Sequence, residues 1–137
     1  MNVRDVMTAE VYVVEPEMSL RDAARMMRDC DIGSLPIQRN ERLIGMVTDR
    51  DLVIRGIAGG MESSATVESV MSDGIRYCFD DQSVEEVATN MAELQVRRLP
   101  VVSREKRLVG FVSLANIASA RDRQATDELL GGTAEPH

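Results

Sequence analysis

The sequence predicts a mixed α/β fold of the α+β kind: two β-α-β-β-α units packed about a pseudo-twofold axis. The main observation is internal repetition. Val3-Arg4-Asp5-Val6-Met7-Thr8 returns as Val67-Glu68-Ser69-Val70-Met71-Ser72 at an offset of 64, which also relates Ser19 to Ser83, Met27 to Met91 and Pro36 to Pro100. One extra loop residue then makes the offset 65, relating Gly45 to Gly110 and Val47 to Val112. Duplicated units of this size bury their apolar faces by packing on each other. The second observation is that both copies place a capped amphipathic segment between short apolar runs. The third is that each copy closes with an apolar run leading into a helix start.

In the first copy, Val11-Tyr12-Val13-Val14 is a β-branched and aromatic run stopped by Glu15-Pro16, and it predicts a short strand. Ser19-x-x-Asp22 is a capping-box pattern, with Leu20, Ala23, Ala24 and Met27 at helical spacing behind it. Ser83-x-x-Glu86 repeats it, followed by Val84, Val87, Ala88, Met91 and Leu94. Leu35-Pro36-Ile37 predicts a very short strand at an edge or strand start, because Pro36 has no backbone donor. Gln38 to Glu41 turns the chain. Leu43 to Val47 is almost continuously apolar, as expected of a strand buried on both faces. A helix follows from Asp49 towards Ile57, and residues 58–64 link the copies. The predicted organisation is residues 1–64 as first repeat with linker, 65–122 as second repeat, and 123–137 as a tail, helical and then disordered. Arg121 to Leu130 either extends the last helix or forms a docking arm, and residues 131–137 are expected to fray.

Composition narrows the function classes. The chain has 137 residues with 44% apolar content, two Phe, two Tyr and no Trp, so it offers few platforms for stacking bases. A net charge of −7 disfavours binding a polyanion through overall charge, although a local arginine patch can still hold one small phosphate. Nucleic acid is therefore not an expected partner. Cys30 and Cys78 form neither a CxxC pair nor a disulfide framework, as in a reducing compartment. No apolar run reaches the roughly 18 residues that span a bilayer, and the first residues do not resemble a signal peptide. The expectation is a soluble cytoplasmic protein. The single His is His137, and no nucleophile–base pair or metal cluster is apparent, so no enzyme is expected. The Asp29-Cys30-Asp31 and Asp49-Arg50-Asp51 triplets lack the companion ligands of a calcium loop and read as solvated helix-end charges.

The most suggestive stretch is Arg42-Leu43-Ile44-Gly45-Met46-Val47-Thr48-Asp49-Arg50-Asp51-Leu52, echoed by Arg107-Leu108-Val109-Gly110-Phe111-Val112-Ser113-Leu114-Ala115-Asn116-Ile117. Each copy runs a strand into a helix N-terminus, where unpaired N–H groups favour an anion. The same spacing, Thr48-x-x-Asp51 and Ser113-x-x-Asn116, is also that of a structural N-cap with a polar third residue. Spacing alone leaves both readings open.

These residues resemble the tandem CBS-domain pair, often called a Bateman module. The matching features are Val-x-x-Val-Met-[Thr/Ser], then Leu35-Pro36-Ile37 and Leu99-Pro100-Val101, then the closing Gly-h-h-[Thr/Ser]-x-x-[Asp/Asn]-[Leu/Ile]. The resemblance covers about residues 1 to 122. It implies a regulatory sensor that binds AMP, ADP, ATP, NAD or S-adenosylmethionine in clefts between the repeats. It further implies a homodimer that signals in trans to a protein effector. The alternative is a structural dimerisation module whose clefts stay empty.

By the same resemblance, site one comprises Thr48, Arg50, Asp51, Leu35, Pro36, Ile37, Thr8 and Val14. Site two comprises Ser113, Asn116, Arg98, Leu99, Pro100, Val101, Ser72 and Cys78. The family's closing carboxylate holds the ribose, and a carboxylate such as Asp51 can accept both hydrogens of a vicinal diol. Arg50 can add a charge-assisted contact. Asn116 departs from the family's Asp and loses the charge and one acceptor, so site one is expected to be the better diol binder. Arg97-Arg98 replaces Gly33-Ser34 and either neutralises phosphate or forms surface ion pairs.

Overall fold

The computed structural model of the chain describes residues 1–134, and the side chains of residues 1–129. Two compact units result, and they are not the two halves of the sequence. One unit holds Val11–Arg76 with Arg104–Leu108; the other holds Met1–Glu10, Tyr77–Ser103 and the chain from Val109 onward. The opening segment of each repeat therefore belongs to the unit built on the other repeat's helices and strands. The offset in sequence is real, but it marks related segments rather than independent globules.

In the unit around the first repeat, α1 (Leu20–Cys30) begins where Ser19 Oγ accepts the Asp22 N–H at 3.0 Å. The linker adds to this: the Leu20 and Arg21 amides donate to the Ala65 and Ser63 carbonyls. Asp31 ends the helix in the left-handed conformation with φ 53°. β1 (Ser34–Arg39) and β2 (Arg42–Thr48) then form an antiparallel hairpin from Ser34↔Thr48 to Arg39↔Arg42, with an irregularity at Ile37/Gln38. Asn40 and Glu41 both have positive φ (52° and 64°), the geometry whose twist suits a two-residue hairpin turn.

Pro36 is accommodated because β1 has two different edges. The Val14 N–H donates to the Pro36 carbonyl and the Gln38 N–H to the Val14 carbonyl, so residues 36 and 38 face away from β2. The missing donor of Pro36 thus falls outside the hairpin ladder. The strand expected over Val11–Val14 is reduced to one parallel bridge, Val14↔Ile37. Of that run only Val14 is fully buried, and Tyr12 is exposed, so only one residue has apolar contacts to reward strand pairing. β2 also departs from expectation: Gly45 and Val47 are buried, whereas Leu43, Ile44 and Met46 are half-buried. After β2, α2 (Asp49–Asp51) gives one α-helical turn that widens into a π-helical segment, Leu52–Ile57.

The other unit repeats the plan. β3 (Cys78–Phe79) lies parallel to β4 (Arg98–Val102), which neighbours β5 (Leu108–Ser113). α3 (Val84–Leu94) is capped by Ser83 Oγ accepting the Glu86 N–H at 3.1 Å. α4 (Leu114–Ala134) is a single long helix, so residues 121–130 extend it. Residues 131–134, expected to fray, are helical as well; the remainder of that expectation, residues 135–137, lies outside the described residues.

Each core contains the borrowed segment. Val67 and Val70 pack with Val14, Leu35, Ile37 and Val47, while Val3 and Val6 pack with Cys78, Val87, Met91 and Val101. Val3, Val67 and Val70 are at 0% exposure and Val6 at 8%, so these opening valines are full members of the cores.

Candidate functional site

In the first-repeat unit the strand–helix junction is a complete capping box. Thr48 Oγ1 accepts the Asp51 N–H at 3.0 Å, and Asp51 Oδ2 accepts the Thr48 N–H at 2.9 Å. The structural reading of Thr48-x-x-Asp51 is therefore correct as far as it goes. It does not consume the carboxylate. Asp51 Oδ1 makes only a distant approach to the Arg55 guanidinium, 3.9 Å one helical turn on, and the side chain keeps 18% of its exposure. Arg55 itself leans towards the Val70 and Met71 carbonyls. Asp49 turns back to cap its own helix start: its Oδ1 accepts the Arg50 N–H, and its N–H donates to the Gly33 carbonyl. The Arg50 side chain is exposed and makes no ion pair among the described residues.

The second junction has the same backbone and different chemistry. The Leu114 N–H donates to the Arg97 carbonyl, as Asp49 does to Gly33, so Arg97-Arg98 and Gly33-Ser34 occupy equivalent places. Ser113 Oγ accepts the Asn116 N–H at 3.0 Å. Asn116 Oδ1 accepts both the Ser113 N–H at 3.0 Å and the Ser113 hydroxyl at 2.9 Å. An amide oxygen has two lone pairs, so this acceptor is filled. The amide orientation follows from the Ser113 N–H, which requires an oxygen opposite it. What Asn116 still offers is its NH₂ group, a donor.

The remaining predicted residues sort by unit. Leu35, Ile37 and Val14 lie with Thr48 and Asp51, but their side chains are core, at 0 to 2% exposure. Leu99, Val101 and Cys78 are likewise core beside Ser113 and Asn116. A cradle of apolar side chains is thus not what these strands present. Pro36 and Pro100 are also buried. Thr8 and Ser72 require a correction. Thr8 pairs with Phe111 on β5 and belongs with Ser113, whereas Ser72 pairs with Met46 on β2 and belongs with Thr48. Counting along the sequence assigned them the other way, because it could not foresee the exchange of opening segments.

Two neighbours were missed. Arg55 was readable, since it stands four residues after Asp51 on a predicted helix. Phe111, over which the Arg98 guanidinium lies at 4.7 Å from the ring centroid, was not, because that contact depends on strand register.

Cys78 shows how closed the second core is. Its Sγ approaches the Pro100 carbonyl at 3.7 Å, and burial pushes the thiol up to about 11. The folded state therefore favours the neutral thiol. That contribution is complete below the ordinary thiol range and is lost as pH rises from about 9 through 11. Urea unfolding at pH 8 and 10.5 is expected to show wild type losing roughly 2 kcal/mol more than Cys78→Ala over that interval. Equal losses would mean that the thiol ionises freely in the folded protein.

Comparison with known proteins agrees with this fold. A family model for the CBS domain matches residues 3–56 and 67–123. Hypoxic response protein 1 of Mycobacterium tuberculosis is 42% identical over 135 residues, which is 97% of this chain and 94% of that protein. The crystal structure of hypoxic response protein I with two coordinated zinc ions superposes with a TM-score of 0.78 at 44% identity, covering 88% of this chain and 98% of that one. The crystal structure of CBSX2 in complex with AMP gives a TM-score of 0.78 at 26% identity, covering 90% and 98%.

Proposed function

The chain belongs to the CBS domain family, and on that premise we propose that it is a non-enzymatic regulatory module whose ligand is an adenosine compound: AMP, ADP, ATP, NAD or S-adenosylmethionine. One observation carries the reading for this chain. Asp51 completes its capping box with a single oxygen, and its other oxygen has only the distant Arg55 guanidinium near it. Two hydroxyls of a ribose can donate to that carboxylate, and Arg50 can meet a phosphate nearby. The AMP complex of a relative with the same fold supports the choice of ligand class. We further propose a cytoplasmic homodimer in which ligand shifts the balance between two arrangements and an effector protein reads the result.

Among the described residues no three His, Cys, Asp or Glu side chains gather into a metal-binding group. Among those residues no helix is long and apolar enough to cross a membrane. A second reading, a dimerisation module without ligand, draws on the completeness of both capping boxes, each of which can stand as a purely structural helix start.

Thermal unfolding with each of the five ligands separates the readings. A ligand at 100 times its dissociation constant stabilises by about 2.7 kcal/mol, a shift of several degrees. Asp51→Asn is the informative variant, because an amide oxygen can still accept the Thr48 N–H while the second acceptor is lost. The ligand-induced shift is expected to shrink in Asp51→Asn, with the unliganded protein changing by no more than about 1 kcal/mol. If no ligand produces a shift at millimolar concentration, the sensor reading fails and the dimerisation reading stands.

A further inference from the structure

The two junctions share a backbone and differ in charge. At the first, the carboxylates of Asp49 and Asp51 are balanced by the guanidiniums of Arg50 and Arg55, and the opposite strand supplies only Gly33 and Ser34. At the second, Leu114, Ala115, Asn116 and Ala120 replace all four charged residues, and Arg97-Arg98 replaces Gly33-Ser34. Neither arginine makes an ion pair among the described residues. Arg98 is held beside the cap by its stack on Phe111, which lies two residues before Ser113 and so shares its strand face. Hydrogen-bond polarity changes with the charge. Asp51 leaves an acceptor open, whereas Asn116 has its one acceptor filled twice and leaves a donor.

We propose that the second junction selects a nucleoside whose ribose carries a phosphate ester at the 2′ or 3′ position, where the first selects the free diol. This rests on the reading that each junction takes the ribose of an adenosine ligand. A phosphomonoester at that position has no hydrogens to give a carboxylate and would be repelled by one. It accepts hydrogen bonds from an amide NH₂ and from a guanidinium, the two groups that this junction presents. The substitutions thus act together. Loss of the acid removes repulsion, and gain of two arginines supplies attraction.

The test uses the full chain and calorimetric titration with three probes: AMP, adenosine 2′,5′-bisphosphate and adenosine 3′,5′-bisphosphate. At least one bisphosphate is expected to bind, with affinity that falls tenfold or more in Asn116→Asp and stays within twofold in Asp51→Asn. AMP affinity is expected to fall tenfold or more in Asp51→Asn and not to fall in Asn116→Asp. Asn116→Asp is conservative for folding, because an Asp already occupies that place in the Thr48 box. Arg98→Gln provides a second variant at an exposed position, with the same expected loss for the bisphosphate. AMP binding with no bisphosphate binding overturns the inference and leaves the sensor reading intact, as does bisphosphate binding indifferent to both Asn116→Asp and Arg98→Gln. Failure of all three probes, together with the other four adenosine ligands, overturns the sensor reading itself and the inference with it.

Discussion

Leu35→Ala is expected to lower the stability of the protein by about 3 kcal/mol while leaving ligand affinity within twofold wherever the variant is folded. Leu35 is completely buried among Val14, Leu20, Ile37 and Val47, with Val67 and Val70 from the second repeat's opening segment in the same core. Truncation removes three carbons, the γ methine and its two methyls, from a close-packed site on a hairpin. β1 is held by β2 on one edge and by Val14 on the other, so the site cannot collapse easily. The loss therefore includes a cavity term as well as the transfer term. The result matters for function because the family resemblance places Leu35 near the adenine. Its side chain faces the core, so at this position the strand can meet a base only through its backbone. Urea unfolding paired with titration at low temperature reads both quantities. A large loss of affinity at unchanged stability would return the Leu35 side chain to the binding surface.

The repeat and both capped helices were legible in the sequence because they rest on local rules. Ser19 and Ser83 cap their helices as their spacing requires, and apolar positions at helical intervals fill the cores. The closing motif was legible too, since both copies form the cap that their spacing allows. What could not be read was which copy each opening segment joins. Val3-x-x-Val6 and Val67-x-x-Val70 present the same apolar pair, so either could fill either core on composition alone. The choice is fixed by main-chain pairing over long sequence separation, Thr8 with Phe111 and Ser72 with Met46, which leaves no local trace. The misplacement of Thr8 and Ser72 between the sites came from that choice. The overlong strand at Val11–Val14 had a different cause: β-branched residues signal a strand only when neighbours cover them, and three of these four are not fully buried.

Gly110→Ala is expected to cost roughly 3 to 4 kcal/mol, and to lower the melting temperature by about 10 °C or more. A Cβ at this position would lie 2.6 Å from the Thr8 carbonyl oxygen and 2.8 Å from Met7 Sδ. The methionine can swing aside. The carbonyl cannot, because it belongs to backbone fixed by two hydrogen bonds, Thr8 N–H to the Phe111 carbonyl at 2.8 Å and Phe111 N–H to the Thr8 carbonyl at 2.9 Å. Relieving the clash means opening that pair and pulling on Val3 and Val6, which are anchored in the core a few residues earlier. Gly45→Ala repeats the experiment in the other unit, and its cost should be smaller, since the corresponding carbonyl, that of Ser72, lies at 2.9 Å. Gly74→Ala is the control: nothing lies within 4 Å of a Cβ there, and its stability should match wild type or slightly exceed it. The ordering Gly110, Gly45, Gly74 is the measurable content. If Gly110→Ala proves as mild as Gly74→Ala in thermal unfolding, the opening segment is not locked to β5. The assignment of Thr8 to the second junction would then fall with it.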